Sequence, residues 1–283
     1  MRGDARSMKV LRPRTPKEAI ELYARFHAAV PLAGGTDFMV SWNAGEANGL
    51  TVIDLSRLRT WGRIRRAGKV LRIGSLATHW QLQSHDIVRR RFPLLAQACA
   101  TIGGRQIQTR GTIGGNIANA SPAGDTFPPL LVYDARVRLV SSAGRRAMAI
   151  RDVFTGVKRT ALESGELIES VELPFHRSPS RELFRKVGTR KASAISKTVA
   201  AGLLWLRRDG RIRALRFALG SMAVTAKRLE TVESFLQGQK PTRRAVDEAL
   251  SLLERDVDPI DDLRSTARYR LEVSRNLLRG FLL

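Results

Sequence analysis

Residues 111–125 read Gly-Thr-Ile-Gly-Gly-Asn-Ile-Ala-Asn-Ala-Ser-Pro-Ala-Gly-Asp, a run that suits neither a long helix nor a strand. Glycine inside a regular element costs roughly 0.5–1 kcal/mol, so a chain that gathers glycines in one place uses them for shape or for close approach. The short donors and acceptors between them suit a ligand with a phosphate, a ribose and a heterocycle. The alternative is an ordered loop whose polar side chains satisfy its own backbone. A second glycine loop, Pro31-Leu32-Ala33-Gly34-Gly35-Thr36-Asp37-Phe38, follows an apolar strand pattern and precedes a helical one. Its paired glycines would let backbone N–H groups approach an anion, with the Thr36 hydroxyl adding a donor; alone, it reads first as a tight turn. Two such loops in one chain favour a dinucleotide cradle. The Gly-x-Gly-x-x-Gly and Walker A patterns are both missing, so neither a Rossmann turn nor a P-loop supplies it.

The surrounding pattern is mixed. Thr15-Pro16-Lys17-Glu18 is a capping-box start for a helix reaching about His27. Short apolar runs predict strands at 30–32, 51–55, 70–74, 136–140 and 167–173, with Thr78 capping a short helix and another over 93–101. Proline, serine and arginine at 174–181 predict a linker. Beyond it, strands are expected at 183–187, 198–207 and 211–219, the last two joined by Asp209-Gly210, a strong hairpin signal. Helices at 226–236, 242–254 and 261–282 close the chain, the last with Leu263, Ala267, Leu271, Leu278 and Leu282 on one face. Strands and helices segregate, which gives an α+β class.

Composition narrows the function. At 283 residues the chain supports one large or two ordinary domains. No apolar run approaches the roughly 18–20 residues of a bilayer crossing. The start, MRGDARSMKV, lacks an apolar signal core, so a cytoplasmic location is expected. One cysteine, Cys99, cannot hold an iron–sulfur cluster, a zinc site or an internal disulfide, and it reads as an inert core residue. His27, His79, His85 and His176 are dispersed, no serine sits in a Gly-x-Ser-x-Gly elbow, and no metal-ligand set or self-contained catalytic machinery is visible. The formal charge of +23 raises nucleic-acid binding as an alternative. Against it, the arginines are scattered in small groups along the chain, with no aromatic residues interleaved for base stacking. An acidic partner or a polyanionic ligand accounts for the charge as well.

The three segments AGGTD (33–37), TIGGNIANASPAGD (112–125) and FRKVGTR (184–190) together resemble the FAD-binding medium subunits of molybdenum hydroxylases, the family of the xanthine and carbon monoxide dehydrogenase flavoproteins. The resemblance runs from about Met8 to the end. It implies a PCMH, or vanillyl-alcohol-oxidase-type, FAD fold: one subdomain over 8–60, a second over 61–176, and a C-terminal domain of antiparallel sheet plus three helices over 177–283. It implies that Pro31 to Phe38 wrap the FAD pyrophosphate and that Thr112, Ile113, Gly114, Gly115 and Asn116 complete the cradle, with Asn119 and Ser121 nearby. Asp125 would bind the adenosine end, Ile168 would contact the adenine or flavin region, and Lys186 would sit near the isoalloxazine. Ile102 stands where xanthine dehydrogenases place an aromatic against the flavin. Residues 192–196 lack a tyrosine that several relatives carry, and the four-cysteine insertion of benzoyl-type reductases is absent.

The implied role is electron transfer without a catalytic residue of its own. Iron–sulfur clusters on a small partner subunit would pass electrons, drawn from a large molybdenum-cofactor subunit, to FAD here and onward to NAD, a quinone or oxygen. A single-chain flavin reductase on the same fold and a structural subunit that has lost its flavin are the competing expectations.

Overall fold

The computed structural model describes residues 3–190 and 193–283. The first two residues of the polar start, and Ala192 at the head of the tyrosine-free stretch, lie outside the described residues.

Three small strands form a parallel sheet in the order β1 (Lys9–Leu11), β3 (Thr51–Asp54), β2 (Val30–Leu32). Helix α1 (Pro16–Arg25) crosses between β1 and β2. The Thr15 hydroxyl accepts from the Glu18 amide at 3.2 Å, and Pro16 occupies the first turn, where its missing N–H has no intrahelical acceptor to reach. Ala19 is the small residue that lets the helix lie on the sheet, in a cluster with Ile53, Leu55, Leu58 and Trp61. Helix α2 (Phe38–Asn43) starts directly where the first glycine loop ends.

The second sheet is antiparallel. Its strands are β4 (Ile64–Ala67), β5 (Val70–Gly74), β6 (Arg136–Ser141) and β7 (Gly144–Ala149); the small hairpin β8 (Phe154–Gly156) and β9 (Arg159–Thr160) follows, and then β10 (Leu167–Pro174). The order is β4-β5-β10-β6-β7, so the last strand to be made fills the centre. Between β5 and β6 the chain winds through α3 (His79–Ser84), α4 (Asp86–Arg91), α5 (Pro93–Thr101), α6 (Arg105–Gln108), α7 (Ile113–Asn119) and α8 (Phe127–Val132); α9 (Ile150–Val153) follows β7. Every residue of α8 is buried, as an all-apolar helix must be.

What covers α8 is the third sheet, in the order β11 (Arg181–Val187), β12 (Thr198–Leu206), β13 (Ile212–Gly220), β14 (Lys227–Arg228). Ala201, Leu203 and Ala218 join the core that contains α8, whereas Ala200, Leu204, Phe217 and Leu219 face α10 (Glu230–Leu236), α11 (Arg243–Ser251) and α12 (Ala267–Leu282). A strand buried on both sides reads as a continuous apolar run, which is the pattern of 198–206. The Asp209-Gly210 hairpin forms as expected, with Gly210 at φ +79°. An ion-pair network also joins the sheets: Arg216 meets Asp134 at 2.7 Å, and Arg228 bridges Asp134 at 2.8 Å and the buried Glu233.

Three expectations are corrected. The helix expected at 226–236 begins only at Glu230, because Lys227 and Arg228 add an edge strand to β13 and carry the Arg228 guanidinium into that network. The helix expected at 261–282 begins at Ala267, where the Thr266 hydroxyl caps the Tyr269 amide. Leu263 is consequently off the helical face and fully exposed. Strands β4 and β7 were not expected at all. Among the described residues no helix is long and apolar enough to cross a membrane.

Candidate flavin site

The two glycine loops meet. A Cβ on Gly34 would lie 1.9 Å from the carbonyl oxygen of Arg110 and 3.0 Å from the Gly111 Cα, so only glycine lets the loops touch there. Gly35 adopts φ +76°, a left-handed conformation that glycine enters at no steric cost. Gly115 faces Ala33 across the gap, where a Cβ on Gly115 would lie 3.8 Å from the Ala33 methyl, and Asn119 Nδ2 donates to Asp37 Oδ1 at 3.2 Å. Between the loops opens a cleft of about 680 Å³ lined by Pro31 to Phe38, Ile102, Thr112, Gly115, Asn116 and Asn119.

The amides divide unequally. Among the described residues, the backbone N–H groups of Gly34, Gly35, Thr36 and Asp37 donate to nothing within the chain. Four consecutive unengaged amides along a glycine turn form a concave donor surface for an anion. In the second loop, by contrast, Gly114 N–H donates to Ser75 O at 2.8 Å, Gly115 N–H to Thr112 Oγ1 at 3.1 Å and Asn116 N–H to Thr112 O at 2.9 Å. Ile113 and Gly114 are buried beneath the cleft and do not line it. The second loop therefore supplies a wall of the cleft through Thr112, Gly115 and Asn116, with the amides of Gly114, Gly115 and Asn116 engaged within the chain.

Ile102 also borders a second cavity of about 460 Å³, which holds Ser121, Asp125 and Lys186. Lys186 Nζ donates to Asp125 Oδ2 at 2.6 Å and to the carbonyl of Thr101 at 3.0 Å, and Ser196 Oγ donates to Asp125 Oδ1 at 2.5 Å. Burial raises the Asp125 carboxyl above its ordinary pKa, against the pull of Lys186 and Ser196. Asp125 and Lys186 were expected at opposite ends of the cofactor. In the structure they are in contact, in the cavity on the far side of Ile102 from the donor loop. Ile168 lines neither cavity; its side chain belongs to the core beneath β10.

His79 is a lining residue that the sequence did not flag. It follows the Thr78 capping box of α3, is buried against Gly111, and lies 3.6 Å from Cys99 Sγ through Nδ1. Burial lowers its pKa to about 4 and pushes the Cys99 thiol up, so both are neutral at pH 7. A histidine held neutral in the fold and charged when unfolded stabilises above its unfolded pKa near 6.5, and that stability is lost as the pH falls toward 4. We expect the urea midpoint to fall through this window, and to fall less in His79→Gln; equal slopes in the two proteins would remove His79 as the cause. Among the described residues no group of three or more histidine, cysteine, aspartate and glutamate side chains is disposed to hold a metal ion.

The family model described as the FAD binding domain in molybdopterin dehydrogenase matches residues 6–176. The chain belongs to that family. The model of the CO dehydrogenase flavoprotein C-terminal domain matches residues 183–283. The carbon monoxide dehydrogenase medium chain of Hydrogenophaga pseudoflava is 28% identical over 271 residues, covering 95% of this chain and 94% of that one. The xanthine dehydrogenase FAD-binding subunit of Escherichia coli O157:H7 is 29% identical over 272 residues, covering 95% and 92%. The solved carbon monoxide dehydrogenase from Hydrogenophaga pseudoflava that lacks the Mo-pyranopterin moiety superposes with a TM-score of 0.91 at 28% identity, covering 97% of this chain and 96% of that one. This member of the molybdopterin dehydrogenase FAD-binding family is thus an α+β oxidoreductase component with FAD as its cofactor. The facing loops and the unengaged amides of Gly34 to Asp37 fit a dinucleotide pyrophosphate.

Proposed function

We propose that this chain is the cytoplasmic electron-transfer flavoprotein of a heteromeric molybdenum hydroxylase, inactive on the substrate by itself. The observation that carries the reading is the row of unengaged amides from Gly34 to Asp37 facing the wall built by Thr112, Gly115 and Asn116. When bound, FAD supplies a carrier that accepts electrons singly and yields them singly or in pairs. The chain's own residues do the rest. The loop amides hold phosphate oxygens through fixed dipoles, and no lysine or arginine side chain lines that cleft among the described residues. Asn119 ties the two loops through Asp37, and Ile102 separates the phosphate end from the Asp125–Lys186 end. His79 stays neutral and adds no charge near the cradle.

A single cysteine means that iron–sulfur clusters must come from another chain, which supports a small two-iron, two-sulfur partner and a large molybdenum-cofactor partner. The external acceptor would be NAD, a quinone or oxygen. Produced alone and incubated with FAD, the chain should retain about one flavin per chain, show the visible absorption band of a bound flavin, and hydroxylate nothing. A folded chain that retains no flavin, or one that hydroxylates a substrate unaided, overturns the proposal.

A further inference from the structure

Resting on the flavoprotein reading above, we infer that Thr126 is a positioning residue of the cradle. Its hydroxyl holds the Asn116 carboxamide so that the NH2 group, and not the oxygen, is offered to the cofactor.

Thr126 cannot do what its position in the chain calls for. It stands at the N-cap of α8, where a threonine hydroxyl ordinarily accepts from the amide of the second or third helical residue. Those residues are Pro128 and Pro129, which have no N–H to donate, and the hydroxyl makes no cap bond. Thr126 is nevertheless fully buried, at the head of a helix whose six residues are all apolar and buried. A hydroxyl sealed there without a partner would destabilise the fold. It donates instead to Asn116 Oδ1, ten residues back on α7.

That bond decides what Asn116 shows the cleft. A carboxamide has a donor at one end and an acceptor at the other, so anchoring the oxygen leaves the donor free. Among the described residues Asn116 Nδ2 donates to nothing, and it is not sealed from solvent. Asn116 lines the cleft, whereas Thr126 does not. The reverse orientation would leave the Thr126 hydroxyl proton without an acceptor and would offer an oxygen to a group already rich in negative oxygens. The second loop thus gains a side-chain donor, although the backbone amides of Gly114, Gly115 and Asn116 are engaged within the chain. That donor complements the unengaged amides of Gly34 to Asp37 on the first loop.

The test titrates FAD into the flavin-free full chain and reads the change in flavin fluorescence, beside each variant's melting temperature. Thr126→Val, which keeps the shape and removes the hydroxyl, should weaken FAD about tenfold, or about 1.4 kcal/mol. Thr126→Ser keeps the hydroxyl and should stay within about twofold of the parent. Asn116→Ala should weaken FAD at least as much as Thr126→Val. Adding Thr126→Val to Asn116→Ala should then change the affinity by less than about twofold, because no carboxamide remains to be held. Asn116→Asp keeps an oxygen for Thr126 but gives the cleft a second one, and should bind FAD more weakly than Asn116→Ala. Thr126→Ser as weak as Thr126→Val, or Thr126→Val with the same effect in the Asn116→Ala background as alone, would mean that Thr126 acts through packing, and would overturn the inference. So would full FAD affinity in Thr126→Val or in Asn116→Asp, the latter deciding the matter even where Thr126→Val does not fold. Each of these results leaves the flavoprotein reading standing. A folded parent chain that binds no FAD overturns that reading and the inference with it.

Discussion

Gly34→Val gives a folded chain that cannot keep its flavin. The first atom added at this position would lie 1.9 Å from the carbonyl oxygen of Arg110 and 2.7 Å from its carbonyl carbon, both backbone and neither able to swing away. The clash is relieved only by parting the two loops, and parting them widens the cleft that Gly34 and Gly115 close. Overpacking of this kind costs about 1–3 kcal/mol. Directed at a binding cleft, it translates to roughly 5- to 150-fold weaker FAD binding. The fold itself should survive, since Gly34 stands outside the three apolar clusters. The measurement is the ratio of flavin to protein absorbance after gel filtration, beside the far-ultraviolet circular dichroism and the melting temperature. Gly35→Ala is the graded control: it meets no close atom, and its cost comes from φ +76°, about 1–2 kcal/mol for an L side chain. Full flavin retention by folded Gly34→Val would show that the loops do not form the cradle.

The glycine loops were legible because glycine is the one residue whose presence reports backbone conformation directly. The helix starts at Thr15, Thr78 and Thr242 were legible for a related reason: a hydroxyl cap acts within three residues of itself. Strands β4 and β7 escaped because they form the two edges of the second sheet, where Arg65, Arg66, Arg145 and Arg146 face solvent and erase the alternation of apolar residues. Strand β14 is two residues long, and its arginine reaches Asp134, which is 94 residues away in sequence, as well as Glu233. The uneven division of amides was illegible for a deeper reason. Whether Gly114 has an acceptor depends on Ser75, and whether Gly34 lacks one depends on what does not come near it. The meeting of Asp125 with Lys186 and Ser196 is of the same kind, across 61 and 71 residues.

Lys186→Met and Asp125→Asn should destabilise the chain in ways that differ with pH, and the difference identifies the pair. The two side chains are nearly buried and 2.6 Å apart, so removing either partner strands a charge, which costs about 3–5 kcal/mol. In Lys186→Met the stranded group is the Asp125 carboxylate. Burial already raises its pKa in the intact chain, and losing Lys186 removes the main influence holding it down. A carboxyl whose folded pKa lies above its unfolded value binds a proton more tightly in the fold. The variant therefore recovers stability as the pH falls through that raised folded pKa. In Asp125→Asn the stranded group is the Lys186 ammonium, which still has the Thr101 carbonyl at 3.0 Å but no counter-charge. Its deficit does not shrink on acidification, because no carboxyl remains at the contact to take up a proton. Urea unfolding at about pH 5, 7 and 9 reads both slopes. The double variant Asp125→Leu, Lys186→Met leaves no charge behind and should be less destabilised than the sum of the single changes, as expected for groups in contact. Two single variants with the same pH slope, or a double variant equal to the sum, would mean that the contact between the second loop and β11 is held by packing and not by this ion pair.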